Sequence, residues 1–157
     1  MTDLQIGDQA PEFSLPRDGG EILTLDDLHG HYLILYFYPK DDTPGCTAEA
    51  VDFTAMKKKI GLINGRVVGV SKDTVAKHDK FVAKHDLSIP LLSDADGNMC
   101  ETYGVWVEKN MYGRKYMGIE RATFLIGPTG KILHIWRKVR AKGHAEKVFE
   151  ELKKHAE

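Results

Sequence analysis

The chain has 157 residues, 42% hydrophobic and 29% charged, and its 22 Lys and Arg against 23 Asp and Glu leave a net charge of −1. That length suits one domain over residues 1–157, able to bury roughly 70% of its unfolded surface without a metal or disulfide staple. The near-neutral balance excludes a chain drawn by its overall field onto nucleic acid or anionic lipid, and no apolar run approaches the roughly 20 residues of a membrane helix.

The first residues, Met1-Thr2-Asp3-Leu4-Gln5-Ile6-Gly7-Asp8, lack the basic and apolar regions of a secretory leader, so the cytoplasm is the expected compartment. Residues 11–15 and 22–24 alternate around Arg17-Asp18-Gly19-Gly20 as two short strands and a turn, and residues 25–28 suit one helical turn. Residues 32–38 are apolar throughout, as in a central strand covered on both faces. From Thr47 to Ile60 the spacing of Ala50, Phe53, Met56 and Ile60 predicts a helix, closed by Gly61 and Asn64-Gly65. Residues 67–70 read as a second buried strand. Asp73 or Thr74 then caps a helix bearing Val75, Phe81 and Val82. Residues 91–93 are a short extended piece, 94–98 a polar turn and 99–103 another helical turn. Two strands, 122–126 and 132–139, flank the hairpin signal Gly127-Pro128-Thr129-Gly130, and Ala145, Val148, Phe149 and Leu152 mark a final amphipathic helix. This order of ββαβαβ-type units, a hairpin and a helix predicts an α/β protein of thioredoxin-like fold, with a central mixed sheet flanked by helices.

The chemistry concentrates at Cys46. Pro39 ends the apolar strand, a short turn follows, and Cys46 falls in the loop or first turn at the start of a helix. Ligand sites of α/β sheets lie at the carboxyl ends of strands, and a helix N-terminus stabilises negative charge on sulfur. Thr43, three residues earlier, is close enough to offer its hydroxyl to the sulfur or to a substrate. Arg121, just before the apolar strand 122–126, supplies a planar cation if that strand lies beside residues 32–38; otherwise it is a solvated boundary residue.

Pro39, Thr43 and Cys46 form a Pro-x-x-x-Thr-x-x-Cys pattern that resembles the active-site signature of the peroxiredoxins. The longer stretch Tyr36-Phe37-Tyr38-Pro39-Lys40-Asp41-Asp42-Thr43-Pro44-Gly45-Cys46-Thr47-Ala48-Glu49-Ala50 resembles the Q-type members, also called bacterioferritin comigratory proteins. Gly7 to Phe13, Leu92-Ser93-Asp94, Tyr103-Gly104-Val105-Trp106 and Gly118 to Ile126 extend the likeness over nearly the whole chain.

The resemblance implies a thiol peroxidase acting on hydrogen peroxide and organic hydroperoxides. Cys46 would be the attacking thiolate and become a sulfenic acid. Thr43 and Arg121 would bind the peroxide oxygens, Pro39 would shield the sulfur, and Glu49 would hold the arginine network. No cofactor or metal is implied.

The chain departs from the pattern in its second thiol. Many Q-type members carry a resolving cysteine at the position of Val51, others near Lys80-Phe81-Val82-Ala83, and here only Cys100 remains. Three readings follow: Cys46 is recycled by an external thiol (thioredoxin or glutaredoxin/glutathione), Cys100 resolves it within the chain, or Cys100 bridges to another subunit. The short helical turn around Cys100 suits a buried, inert thiol and favours the first.

A monomer is expected, with a dimer as the alternative. A peroxide sensor or holdase using Cys46 without turnover is the competing function. A Cys-x-x-Cys reductase is disfavoured by Thr43 and Glu49 at the partner positions. The pairs His29/His31 and His78/His85 have no partner at a metal-ligand spacing and read as solvated, as does the basic stretch 137–142. Neither nucleic acid nor membrane is expected as a partner.

Overall fold

The computed structural model describes residues 3–156. In chain order the elements are β1 (Ser14–Pro16), β2 (Ile22–Thr24), a 3-10 turn (Asp26–Leu28), β3 (Tyr32–Phe37), α1 (Pro44–Leu62), β4 (Gly65–Ser71), α2 (Val75–His85), β5 (Leu91–Ser93), α3 (Met99–Thr102), β6 (Trp106–Met111), β7 (Arg114–Ile119), β8 (Ala122–Ile126), β9 (Ile132–Trp136) and α4 (His144–Ala156). Five strands form the main sheet in the order β5-β4-β3-β8-β9. β3 pairs parallel with β4 and antiparallel with β8, which makes the sheet mixed. β1–β2 and β6–β7 are separate antiparallel hairpins.

β3 owes its central place to its composition, since five of its six residues are buried and its side chains alternate between two cores. Leu33, Leu35 and Phe37 pack with Phe124, Cys100, Tyr103 and Val105 on one face. Ile34, Tyr36 and Tyr38 pack with Cys46, Ala50, Phe53 and Ile60 of α1, Phe81 of α2, and Ala145, Val148 and Leu152 of α4 on the other. Tyr36 stacks on Phe53 at 4.8 Å between centroids, which fixes α1 over the strand that leads into it.

Several elements differ from the sequence expectation. α1 begins at Pro44, not Thr47, because proline suits the first helical position, where no N–H partner exists. β9 stops at Trp136, short of residue 139. The hairpin β6–β7, with Tyr112 at φ 53° and Gly113 at φ 81° in its turn, lies in a stretch assigned no strands. Thr74 caps α2, its hydroxyl accepting from the Lys77 N–H at 3.3 Å. Among the described residues no helix is long and apolar enough to cross a membrane.

Candidate active site

Phe37 ends β3, Pro39 follows it exposed to solvent, and the chain turns through Asp42 at φ 60° into α1. Cys46 is the third residue of that helix and is only 1% exposed. It therefore sits in the first turn, at the positive end of the helix dipole.

Arg121 reaches the same sulfur from the other side. β8 runs antiparallel to β3 with Ala122 opposite Phe37, so the residue before β8 stands at the mouth of β3. The guanidinium divides its donors: Nη2 donates to Cys46 Sγ at 3.2 Å and Nη1 to Glu49 Oε1 at 2.6 Å. Glu49 lies one turn beyond Cys46 on α1 and is fully buried. Burial pushes its carboxyl up to about 7, against the pull of Arg121. Burial works against the charge of Arg121, but Glu49 and the Cys46 sulfur outweigh it and hold the guanidinium above its ordinary value. Glu49 therefore anchors a permanent cation on the thiol, and its second oxygen has no hydrogen-bond partner among the described residues.

Gly45 makes this approach possible. A Cβ there would lie 3.2 Å from Arg121 Nη2, tighter than ordinary van der Waals contact. Gly45→Ala is expected to displace the guanidinium by a few tenths of an ångström and to slow the reaction of Cys46 with peroxide about 5- to 20-fold, since small misplacements at a reacting centre are costly. Stopped-flow oxidation by hydrogen peroxide measures this, with thermal unfolding as the control.

Cys46, Arg121 and Glu49 are thus brought together, whereas the Thr43 hydroxyl is not directed at the sulfur. It donates to the Lys40 carbonyl at 2.9 Å, so toward the site it offers only lone pairs. Cys100 is fully buried in the opposite core, with β3 between it and Cys46. Burial, and next to it the Asp94 charge, push its thiol far above its ordinary value. Val51, at 42% exposure, lies on the solvent side of α1.

The reading of His78 as solvated is overturned. His78 is 0% exposed and hydrogen-bonds Asp41 at 2.6 Å. Arg137, grouped with the solvated basic stretch, is half-buried with its guanidinium 5.6 Å from the Phe124 ring centre. Lys109 of β6 escaped notice altogether. Its stem lies against Gly118 of β7, and Arg121 and Cys46 are both among the charges acting on its ammonium. Only the pairing of β6 with β7 reveals it.

The chain matches the AhpC/TSA family over residues 6–135. It is 46% identical to the peroxiredoxin Bcp of Xanthomonas campestris pv. campestris over 99% of each chain. It superposes on the PrxQ of Xylella fastidiosa, solved as a cysteine-to-serine variant, with a TM-score of 0.94, 43% identity and full coverage of both chains. A structure of the Xanthomonas campestris bacterioferritin comigratory protein, from work on that protein's alkyl peroxide reduction, gives a TM-score of 0.88 at 46% identity over 92% of each chain. The chain belongs to the AhpC/TSA family as a peroxiredoxin of the Q, or bacterioferritin comigratory protein, type, a thiol peroxidase.

Proposed function

We propose that Cys46 is the peroxide-reactive nucleophile and that the Cys46–Arg121–Glu49 cluster is the catalytic centre. The observation that carries this reading is the Arg121 fork, with one arm on Cys46 Sγ at 3.2 Å and the other on buried Glu49. The guanidinium lies against the sulfur and is already in place for negative charge developing on a peroxide oxygen. Sulfur takes one oxygen of the O–O bond. The bonding pair leaves on the other oxygen, which accepts a proton and departs as water or an alcohol. Cys46 remains as a sulfenic acid. Thr43 Oγ1, with its own proton given to Lys40, can accept a hydrogen bond from the peroxide O–H. Pro39, exposed just after β3, is assigned the shielding of the sulfur.

Recycling falls to an external thiol, thioredoxin or glutaredoxin/glutathione. One thiol forms a mixed disulfide with Cys46 and releases water, and a second displaces Cys46 as the free thiol. The placement of Cys100 behind the sheet supports this route. Bridging it to Cys46 requires Cα atoms within about 7 Å, across the core that Leu35 and Phe37 fill. Cys100→Ser is accordingly expected to keep peroxidase turnover within about threefold of wild type, a surface-like effect despite the buried position. A loss as deep as that of Cys46→Ser would instead show that the chain closes its own disulfide. A cytoplasmic monomer fits this cycle.

The deciding experiment is steady-state peroxide consumption with thioredoxin, glutaredoxin/glutathione or dithiothreitol, on wild type, Cys46→Ser and Cys100→Ser. Failure of every reductant to sustain turnover removes the enzymatic cycle.

A further inference from the structure

Because Cys46 is 1% exposed, an incoming reductant reaches its sulfur only if residues 39–46 give way. What holds that segment thus bears on both halves of the cycle, and the chief holder is α2 with the residues before it. Asp41, 8% exposed, accepts from the Tyr38 hydroxyl at 2.5 Å on Oδ1 and faces His78 Nδ1 at 2.6 Å through Oδ2. Its backbone N–H donates to Asp73 Oδ2 at 2.8 Å, an oxygen that also receives the Ser71 hydroxyl at 2.7 Å. Asp42 turns the chain at φ 60°, in the left-handed region. Its carboxylate receives Lys84 at 2.7 Å and His85 at 2.8 Å from the end of α2.

The buried half of this arrangement fixes a proton count. His78 Nε2 lies 2.9 Å from the Leu92 carbonyl, which can only accept, so Nε2 carries a hydrogen. Nδ1 lies 2.6 Å from a carboxylate whose other oxygen is already accepting from Tyr38. One further proton must therefore sit between Nδ1 and Oδ2, whichever group formally owns it. With it the contact is a charge-assisted hydrogen bond in a buried site. Without it two lone pairs face each other.

We propose that His78 is a positioning residue of the peroxidase reaction: with Asp41 it forms a buried, proton-bearing grip through which α2 holds residues 39–43, and with them Thr43 and Cys46, in the peroxide-reactive arrangement. The inference rests on Cys46 being the peroxide-reactive thiol. The grip acts with opposite sign on the two half-reactions. It organises the site for peroxide and delays the opening that a reductant needs.

The grip also responds to pH. Burial pushes the His78 pKa down, but the Asp41 hydrogen bond and charge, the Leu92 carbonyl and the Asp73 charge overcome it and leave it raised above 6.5. Its other ionisable neighbours are Tyr38, just after β3, and, around the same shallow depression, Asp42, Lys40, Lys77, Lys80 and Lys84. A group raised in the folded state contributes in full below its unfolded value and loses its contribution as pH climbs through the folded one. The grip is therefore complete on the acid side and released on the alkaline side.

The test separates the two half-reactions by stopped flow: oxidation of reduced enzyme by hydrogen peroxide, and reduction of the sulfenic acid by dithiothreitol. In His78→Gln, oxidation at about pH 6 is expected to slow about 10-fold while reduction accelerates several-fold. Wild type should converge on the variant as pH climbs through the raised His78 value and the wild-type grip loses its proton. Asp41→Asn is the conservative partner. Its amide can donate to an unprotonated Nδ1 and hold the segment without the extra proton. Its oxidation rate relative to wild type should rise with pH, and this alone decides the matter if His78→Gln does not fold. Parallel slowing of both half-reactions, or ratios that do not change with pH, would overturn the proposal and leave His78 as packing. Peroxide consumption surviving in Cys46→Ser would instead remove the reading of Cys46 itself.

Discussion

Cys46→Ser is expected to lower peroxide consumption by at least about 10³-fold, to the level of the uncatalysed reaction with reductant, because an un-ionised hydroxyl is a far weaker nucleophile than a thiolate. The substitution is close to isosteric in a site of 1% exposure, so the surroundings are expected to persist. Arg121 and Glu49 keep their 2.6 Å contact, and the aromatic stack of Tyr36 on Phe53 is untouched. The variant should therefore melt close to wild type and still lack activity. That combination distinguishes loss of the nucleophile from loss of the fold. The measurement is peroxide disappearance under excess dithiothreitol, with thermal unfolding in parallel. Residual activity above about 1% of wild type would move the chemistry to Cys100, the remaining thiol, although its burial beside Asp94 disfavours the thiolate that attack requires.

Much of this centre is written locally. The apolar run ending at Pro39, the turn, and the helical spacing after Cys46 lie within one continuous stretch, and local geometry brings the thiol to a helix N-terminus. Arg121 was legible only conditionally, because its value depends on β8 lying beside β3, a pairing no short-range signal specifies. The β6–β7 hairpin was missed for a definite reason. Its turn puts Tyr112 and Gly113 both at positive φ, a conformation usually announced by Asn-Gly or Asp-Gly, and an aromatic residue there gives no such sign. The Asn110 side chain supports the turn by accepting from the Gly113 N–H at 3.0 Å. His78 was misread because its environment is assembled from afar. Asp41 and Leu92 come from the loop after β3 and from β5, so the helix sequence alone shows only a polar residue at an ambiguous position. Thr43 shows the same limit on a smaller scale. Its nearness to Cys46 in sequence was plain, yet the direction of its O–H follows from the Lys40 carbonyl, which the turn alone decides.

Arg121→Met and Arg121→Lys should separate what the charge of Arg121 does from what its shape does. Methionine removes both donors. Cys46 loses its 3.2 Å partner, and Glu49 becomes a carboxyl with no partner in a fully buried site. The peroxide rate constant is expected to fall about 10²- to 10³-fold, the range seen when one preorganised donor to developing charge is removed. Lysine restores the charge but not the fork, since one ammonium cannot occupy the positions of Nη1 and Nη2 together. It is expected to recover stability more fully than rate. The stability readout has its own sign. Glu49 already sits near 7 with Arg121 beside it, above its ordinary value of 4.5. A carboxyl raised on folding gives its full contribution below its unfolded value and loses it as pH rises through the folded one, so wild-type stability should decline across that interval. Without the guanidinium the folded value climbs further. Arg121→Met should then be nearly as stable as wild type in mild acid and fall progressively behind it as pH rises past neutrality, with Arg121→Lys between the two. Chemical denaturation across that range measures the divergence. A constant difference between Arg121→Met and wild type at all pH values would show that Glu49 is not held by Arg121, and would leave the guanidinium acting on Cys46 alone.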